Sequence, residues 1–211
     1  KAYNRVREQN FSLNGLLGFN LKGKTIGVIG TGNIGKAFCI NMRGFGCKVL
    51  AFDLIANKGL EAAGVQYLPL MDLLKQSDII SLHCPLNSQT KHIINSETIP
   101  MMKKGVMLIN TSRGGLIDTL AVIDALKSGQ IGYLGIDVYE QEEHIFFRDL
   151  SDTVIEDDTI QRLMSFSNVL VTAHQAFFTE EALIQITLTT LHNMYELAAG
   201  NNLSETAALL V

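Results

Sequence analysis

The sequence predicts an α/β fold, a doubly wound parallel sheet with helices on both of its faces. Short apolar runs alternate with segments of helical periodicity, which is the pattern of repeated strand–helix units. Most of the runs are continuously apolar, as expected for strands that are buried on both faces of a parallel sheet. The 211 residues are 47% apolar and 18% charged, a composition that can bury a sizeable core. The length suits one large domain, or one domain with part of another.

Seven apolar runs are predicted to be strands, and three of the segments between them to be helices. The predicted strands cover residues 25–29, 48–52, 65–68, 79–84, 106–110, 133–138 and 169–172. The predicted helices cover residues 34–45, 71–76 and 120–127. Asp118 is a suitable N-cap for the last of these helices, and Gly129 is a suitable stop.

Three regions lie outside this alternation. Residues 1–22 form a leader whose start resembles the end of a helix, and residues 141–167 form a long acidic insertion with helical patches. Residues 179–199 are predicted to form a long final helix that stops at Gly200. A doubly wound sheet needs neither the leader nor the final helix, so we expect both to pack on something absent from this chain.

Charge and cysteine usage argue against several classes of protein. Lys and Arg number 17 against 21 Asp and Glu, and the net charge of −4 argues against a nucleic-acid binder. No apolar run approaches the roughly 18 residues of a membrane span, and the polar, basic start is unlike a signal peptide. Cys39, Cys47 and Cys84 lack metal-ligand spacing, which predicts a reduced, cytoplasmic setting and no metal site.

A glycine-rich turn follows the first predicted strand. Residues 30–35 read Gly-Thr-Gly-Asn-Ile-Gly, the fingerprint of dinucleotide-binding Rossmann domains, and they open a predicted helix. Gly30 permits the tight turn, Gly32 lets a pyrophosphate approach the backbone, and Gly35 lets helix and strand pack closely. The helix N-terminus offers unpaired N–H groups to phosphates. Asp53 ends the second predicted strand, where a carboxylate accepts hydrogen bonds from ribose hydroxyls and favours NAD over NADP.

Two further loops follow predicted strands at the edge where open α/β sheets bind their ligands. Residues 82–86 read Leu-His-Cys-Pro-Leu, and residues 110–115 read Asn-Thr-Ser-Arg-Gly-Gly. A guanidinium on such a loop can hold a carboxylate through two hydrogen bonds. Arg113 is therefore a candidate ligand for an acidic substrate.

A histidine and a run of acidic residues end the last two predicted strands. His174 follows the final strand, and residues 137–143 follow the strand before it. A carboxylate beside a histidine orients the imidazole and favours its protonated form, which can give a proton to a carbonyl during reduction. The sequence leaves open which of the acidic residues meets His174. The remaining histidines are interpreted as structural: His83, His92, His144 and His192.

These motifs together resemble the D-isomer-specific 2-hydroxyacid dehydrogenases, and they follow that family's order along nearly the whole chain. The resemblance rests on residues 30–35, 53, 82–86, 110–114, 137–142 and 174–178. Within the family, the chain is most similar to the fermentative D-lactate dehydrogenases. Residues 145–149 read Ile-Phe-Phe-Arg-Asp, where the glycerate and phosphoglycerate branches tend to be proline-rich. Gln-Ala-Phe follows His174, where those branches usually have Ile-Gly-Gly.

The resemblance implies a role for each of these residues. Arg113 would bind the substrate's carboxylate and keto oxygen, His174 would be the acid/base, and Phe177 would contact the substrate. The family's carboxylate partner lies five residues after the Asp of Asp-Val-Tyr, which here is Glu142. The alternatives in the same run are Glu140 and Glu143. The implied NAD-binding residues are Gly30, Gly32, Asn33, Ile34, Gly35, Asp53, Cys84, Pro85, Thr90, Thr111, Ser112 and Asp137.

The resemblance also implies a domain organisation. Residues 21–175 would form the NAD-binding Rossmann domain, residues 1–20 an interdomain helix and loop, and residues 176–211 a helix that returns to a substrate domain. The first part of that substrate domain is expected to precede residue 1, so the domain would be incomplete in this chain. The family further implies a homodimer.

The implied activity is the reversible reduction of pyruvate to D-lactate by NADH. Two alternatives remain open. One is a dehydrogenase for another D-2-hydroxy acid. The other is an NAD-sensing binding module, because the family also resembles certain transcriptional corepressors with the same fold.

Overall fold

A seven-stranded parallel sheet forms the centre of the computed structural model, which describes residues 2–200. The strands are β1 (Thr25–Ile29), β2 (Lys48–Phe52), β3 (Gln66–Tyr67), β4 (Ile79–Leu82), β5 (Val106–Asn110), β6 (Ile131–Ile136) and β7 (Val169–Val171). Their order in the sheet is β3-β2-β1-β4-β5-β6-β7, and every pair is parallel. The predicted doubly wound α/β fold is therefore confirmed.

Seven α-helices accompany the sheet in the described residues. They are α1 (Ala2–Arg7), α2 (Asn33–Gly44), α3 (Lys58–Ala62), α4 (Leu70–Gln76), α5 (Thr119–Ser128), α6 (Asp158–Ser165) and α7 (Glu180–Ala198). Short 3₁₀ helices cover Ile99–Met101, Gly114–Leu116 and Glu142–His144. The acidic insertion therefore contains two helical pieces, as its sequence predicted, and α1 is the helix end predicted in the leader.

The predicted caps of α5 are confirmed. The Asp118 carboxylate accepts a hydrogen bond from the Ala121 N–H at 3.1 Å, which satisfies one of the free donors at the helix start. Gly129 follows the last turn with φ 73°, a left-handed conformation that glycine adopts without a steric penalty.

The sheet is buried on both faces, which explains its continuously apolar strands. Ile26 and Val28 of β1 belong to one apolar cluster, whereas Ile29 belongs to the other. All four residues of β4 are buried. The strand order changes direction between β1 and β4, and such a switch point opens a crevice at the carboxyl ends of the strands.

Several predicted boundaries are wrong, for local reasons. The strand predicted at 79–84 ends at Leu82, and the run at 65–68 pairs only over Gln66–Tyr67. The strand predicted at 133–138 covers Ile131–Ile136 instead. The start of this strand was missed because Gly132 has a low strand propensity. Glycine is needed there because a side chain would collide with the backbone of Gly105. The short helix α3 was not predicted.

The two ends of the described chain bury few of their own side chains. Neither α1 nor α7 has a buried residue. Thr179 caps α7 by accepting a hydrogen bond from the Ala182 N–H, and the helix ends just before Gly200, close to the predicted limits. The division into residues 1–20, 21–175 and 176–211 stays a prediction, and residues 1 and 201–211 of it lie outside the described residues.

Within residues 2–200, every helix is too short or too polar to span a membrane. The same residues contain no group of three or more His, Cys, Asp or Glu side chains arranged to hold a metal ion.

Candidate active site

A cavity of about 440 Å³ lies at the carboxyl ends of β1, β2 and β4, in the crevice that the strand order creates. Six of the predicted NAD-binding residues line it: Gly30, Gly32, Asp53, Cys84, Pro85 and Thr90. The prediction missed several other lining residues, among them Phe52, Leu54, Leu70, His83, Asn87, Gln89 and Ile93. Most of these are ordinary apolar or amide side chains, and only the folded chain shows that they face the cavity.

The glycine-rich turn leaves room for a phosphate group. A Cβ on Gly30 would collide with the backbone of Cys84, and one on Gly35 would collide with the Gly30 carbonyl oxygen. A Cβ on Gly32 would meet no atom within 4 Å. Gly32 also precedes α2, and no side chain caps the free N–H groups of that helix start. Open space beside uncapped N–H groups fits the pyrophosphate of a dinucleotide.

Gly32 and Gly35 are expected to respond differently to substitution by alanine. Gly35→Ala inserts a methyl group against backbone, so we expect a loss of about 1–3 kcal/mol in unfolding free energy. Gly32→Ala is expected to leave stability nearly unchanged and to weaken NADH binding, because its methyl group projects into open space at the helix start. Thermal unfolding and NADH titration of both variants provide the check, and equal losses of stability would contradict it.

Asp53 is held at the cavity edge by hydrogen bonds from the glycine-rich turn. Its Oδ2 accepts from the Thr31 N–H at 2.6 Å and the Thr31 hydroxyl at 2.9 Å, and its Oδ1 accepts from the Leu54 N–H at 2.7 Å. The Tyr67 hydroxyl in turn donates to Thr31 Oγ1 at 2.9 Å. Burial raises the pKa of Asp53, but these hydrogen bonds outweigh it and leave the pKa below its usual value. The carboxylate is therefore charged at neutral pH.

His83 is a neutral wall of the cavity. Burial lowers the pKa of its imidazole to about 4, so the ring carries no charge near pH 7. Its Nε2 lies 2.8 Å from the Ser81 hydroxyl, and its ring packs against Phe38 at 4.9 Å between centroids. The structural role of His83 stays a prediction, because the same ring also lines the cavity. Burial likewise raises the pKa of the Cys84 thiol, which suits a packing role.

The loop that carries Arg113 is fixed by its neighbours, and the guanidinium is exposed. The Asn110 side chain accepts from the Ser112 N–H at 3.1 Å and donates to the Arg113 carbonyl at 2.9 Å. The Ser112 hydroxyl donates to the Cys84 carbonyl at 2.8 Å, which ties this loop to the cavity wall. Arg113 and Thr111 both face solvent, so the guanidinium is available to an anionic ligand.

The structure brings His174 and Glu142 together. His174 Nδ1 lies 2.8 Å from Glu142 Oε1, and the two side chains are 28% and 23% exposed. The other carboxylate oxygen of Glu142 accepts from the Tyr139 N–H at 2.9 Å. Because Nδ1 is occupied, Nε2 is the ring nitrogen left to face a ligand. Of the two alternatives, Glu140 contacts His92 instead, and Glu143 is exposed.

Asp137 holds the loop of His174. It is 3% exposed, and its carboxylate accepts hydrogen bonds from the Thr172 hydroxyl, the Gln175 N–H and the Ala176 N–H. Its backbone carbonyl also accepts from the His174 N–H at 2.7 Å. This carboxylate is held by protein groups and is not among the residues that line the cavity. The cofactor contact that the family resemblance implied for it stays a prediction.

Stability is expected to depend on the charge of Asp137. Burial raises the pKa of Asp137, but the bonds from Thr172, Ala176 and Gln175 outweigh it, so the pKa is below its usual value. The stabilisation is therefore present at neutral pH and is lost as the pH falls through that lowered pKa. Asp137→Asn should cost about 1–3 kcal/mol at pH 7, and the cost should begin to decrease at pH 3, below the ordinary Asp pKa of 3.8. Thermal unfolding at both pH values, with the exposed Asp152→Asn as control, measures this; a constant difference would contradict it.

Two phenylalanines flank the imidazole of His174. Phe177, a predicted substrate contact, meets the ring edge-on at 6.1 Å between centroids. Phe147 of the acidic insertion lies 5.9 Å away and is 73% exposed. The predicted site did not include Phe147, although residues 145–149 carry part of the family resemblance. The remaining predicted residues, Asn33 and Ile34, are exposed in the first turn of α2.

Comparison with known proteins relates the chain to one family. The family model described as "D-isomer specific 2-hydroxyacid dehydrogenase, NAD binding domain" matches residues 1–176. A 2-hydroxyacid dehydrogenase homolog of Schizosaccharomyces pombe is 57% identical over 193 residues, which cover 90% of this chain and 58% of that protein. The D-lactate dehydrogenase of Escherichia coli is 52% identical over 200 residues, which cover 95% of this chain and 61% of that protein.

Solved structures give the same relationship. The pyruvate reductase of Chlamydomonas reinhardtii superimposes with a TM-score of 0.93 at 48% identity, over 97% of this chain and 62% of that one. A D-lactate dehydrogenase of Aquifex aeolicus, complexed with NAD and lactic acid, gives a TM-score of 0.86 at 38% identity, over 94% and 61%. The chain thus spans 58 to 62% of the length of these relatives. It belongs to the D-isomer-specific 2-hydroxyacid dehydrogenases and contains their NAD-binding domain.

Proposed function

We propose that the protein is an NAD-dependent D-lactate dehydrogenase, which reversibly converts pyruvate to D-lactate. The observation that carries the proposal is the His174–Glu142 pair, which sits at the sheet edge that also carries the dinucleotide cavity. A protonated imidazole at this edge is the group that a carbonyl needs when it becomes an alkoxide. D-lactate dehydrogenases among the similar proteins support lactate as the product.

The residues of the cavity suit the parts of NAD. The N–H groups at the start of α2 and the open space beside Gly32 would receive the pyrophosphate. The charged carboxylate of Asp53 would accept hydrogen bonds from the ribose hydroxyls and repel a 2′-phosphate, which favours NAD over NADP. When bound, NADH supplies the hydride that reduces the keto carbon.

The remaining chemistry belongs to three side chains. His174 gives the proton at Nε2 to the developing alkoxide, and in the reverse direction it takes the proton back. Glu142 holds the opposite ring nitrogen, which fixes the ring and stabilises the imidazolium. Arg113 pairs with the substrate carboxylate and stabilises negative charge at the reacting oxygen.

The rest of the proposal concerns the protein as a whole. We propose that residues 1–20 and 176–211 connect residues 21–175 to a substrate domain, since α7 exposes apolar residues such as Leu188, Leu191 and Met194. We propose a homodimer by analogy with the family. A reduced, cytoplasmic location is supported by three cysteines that are all unpaired.

Steady-state reduction of a panel of 2-keto acids by the full-length protein tests the proposed activity. Pyruvate is expected to give the highest kcat/KM with NADH, and NADPH is expected to be a poor substitute. Preference for a branched or aromatic keto acid would instead indicate a dehydrogenase for another D-2-hydroxy acid. NADH binding, followed by fluorescence, without turnover of any keto acid would indicate an NAD-sensing module.

A further inference from the structure

The structure contains a second histidine–carboxylate pair, whose carboxylate lies in the same loop as Glu142. His92 Nε2 is 2.6 Å from Glu140 Oε1, and Glu140 precedes Glu142 by two residues. His92 comes from the loop after β4, and Glu140 from the loop after β6. Their side chains are 35% and 27% exposed, so the pair is partly withdrawn from water. The mechanism above uses neither residue.

The same carboxylate also binds a third segment. Its Oε2 accepts from the Thr119 hydroxyl at 2.8 Å and from the Thr119 N–H at 3.3 Å. Thr119 is the first residue of α5 and is buried. Glu140 therefore joins the loop after β4, the start of α5 and the loop after β6, and each of its two oxygens has a partner.

The backbone of His92 is strained, and its neighbours hold it in that conformation. Its φ of 50° lies in the left-handed region, which residues other than glycine seldom adopt. The His92 N–H donates to the Gly115 carbonyl at 2.8 Å, and its carbonyl accepts from the Asn95 side chain at 2.9 Å. Such conformations persist only where the surroundings hold them, and they cluster at functional sites.

The backbone at Glu140 lies between two parts of the proposed site. One part is Arg113, which would bind the substrate, and the other is the Glu142–His174 pair, which would transfer the proton. On one side, Glu142 accepts from the Tyr139 N–H at 2.9 Å while it holds His174. On the other side, Gly114 packs so closely on the Tyr139–Glu140 peptide that a Cβ on it would collide with the Tyr139 carbonyl carbon and the Glu140 nitrogen. A movement of this peptide would thus displace both Arg113 and Glu142.

We propose that Glu140 is a positioning residue for keto-acid reduction, anchored by His92 and Thr119, which sets the Tyr139–Glu140 peptide and through it the placement of Arg113 and Glu142. This inference rests on the proposed function. Glu140 itself lines neither the dinucleotide cavity nor the ring of His174 in the described residues, so it acts through the segments that it anchors. One of these is the loop of His92, whose neighbours Thr90 and Ile93 line the cavity.

The test uses the full-length protein and the variants Glu140→Ala, Glu140→Gln and, as the matched control, Glu143→Ala in the same loop. Glu140→Ala is expected to lower kcat for the best keto acid about 10- to 100-fold and to raise its KM, because small misplacements of reacting groups have effects of this size. The Kd for NADH should change less than kcat and KM do, because Glu140 does not line the cavity and reaches it only through the loop of His92.

Partial rescue separates positioning from a general loss of structure. Glu140→Gln keeps an acceptor for Thr119 and a polar group for His92, so it should recover most of the lost kcat, and Glu143→Ala should match the wild type. If Glu140→Ala does not fold, Thr119→Val and His92→Asn each remove one anchor; Asn tolerates the left-handed backbone of His92.

The outcomes have distinct meanings. Wild-type values of kcat and KM in Glu140→Ala, or in both anchor variants, would overturn the positioning role. Turnover by the wild-type protein would leave the proposed function intact in that case. A loss of NADH affinity as large as the loss of kcat would overturn it as well. If the wild-type protein reduces no keto acid, the proposed function fails, and the positioning role fails with it.

Discussion

Replacement of His174 by Asn in the full-length protein is expected to lower kcat about 10²- to 10⁴-fold. The Asn side chain cannot give a proton to the alkoxide. Its amide also stays neutral, so it cannot replace the imidazole that Glu142 holds. Asn is a better replacement than Ala, because His174 has φ 50° and Asn tolerates this left-handed conformation. A loss of kcat can therefore be attributed to the missing proton donor and not to a changed conformation of the loop.

Two measurements accompany this variant. NADH titration by fluorescence should give an unchanged Kd, since His174 does not line the dinucleotide cavity. His144→Asn is the matched control, because His144 is exposed in the neighbouring Glu142–His144 helix and should leave kcat as it is. Turnover within threefold of wild type in the His174 variant would remove this residue from the mechanism.

Replacement of Arg113 by Lys is expected to lower kcat/KM for pyruvate about 10²- to 10³-fold. The substitution keeps the positive charge but loses the planar pair of N–H donors that matches a carboxylate. The loop itself should persist, because Asn110 binds the backbone of Ser112 and Arg113 rather than the guanidinium. The loss therefore measures the geometry of the fork and its place beside the reacting oxygen.

The kinetic constants show where the loss of the Arg113→Lys variant arises. A higher KM for pyruvate with a lower kcat indicates that the guanidinium acts in both binding and the transition state. The Kd for NADH is expected to stay constant, and Arg148→Lys in the exposed part of the acidic insertion serves as the control. An NADH Kd that rises with the KM would place Arg113 on the cofactor instead.

Most of the fold could be predicted from local patterns. β1, β2 and β5 have the predicted bounds, because each is an apolar run between polar or glycine-rich turns. The helix α3 was missed because it spans five residues and contains Gly59, so its main signal is the Asn57 cap. The bounds of β6 were wrong because a glycine near its start is required by the close approach of Gly105.

The candidate site was predictable where one motif contains the whole interaction. The glycine-rich turn follows β1 and Asp53 follows β2, which pairs with β1. Their spacing in the sequence therefore already indicated a dinucleotide. Contacts that join distant segments were not predictable in this way. Nothing in a single sequence shows that Tyr67 donates to Thr31, or that His92 meets Glu140 across 48 residues of chain. The choice of Glu142 came from the family resemblance, because spacing alone did not separate it from its acidic neighbours.

The order of the strands places the two proposed groups of site residues on different sides of the sheet. Most residues that line the dinucleotide cavity follow β1, β2 and β4, which are contiguous on one side of the sheet. Arg113, Glu142 and His174 follow β5, β6 and β7, which are contiguous on the other side. Because the two groups of residues follow different strands, changes in the loops after β5, β6 and β7 can alter which acid is reduced while the loops after β1, β2 and β4 continue to select the same nucleotide. New substrate ranges can therefore arise within this fold without a change of redox currency.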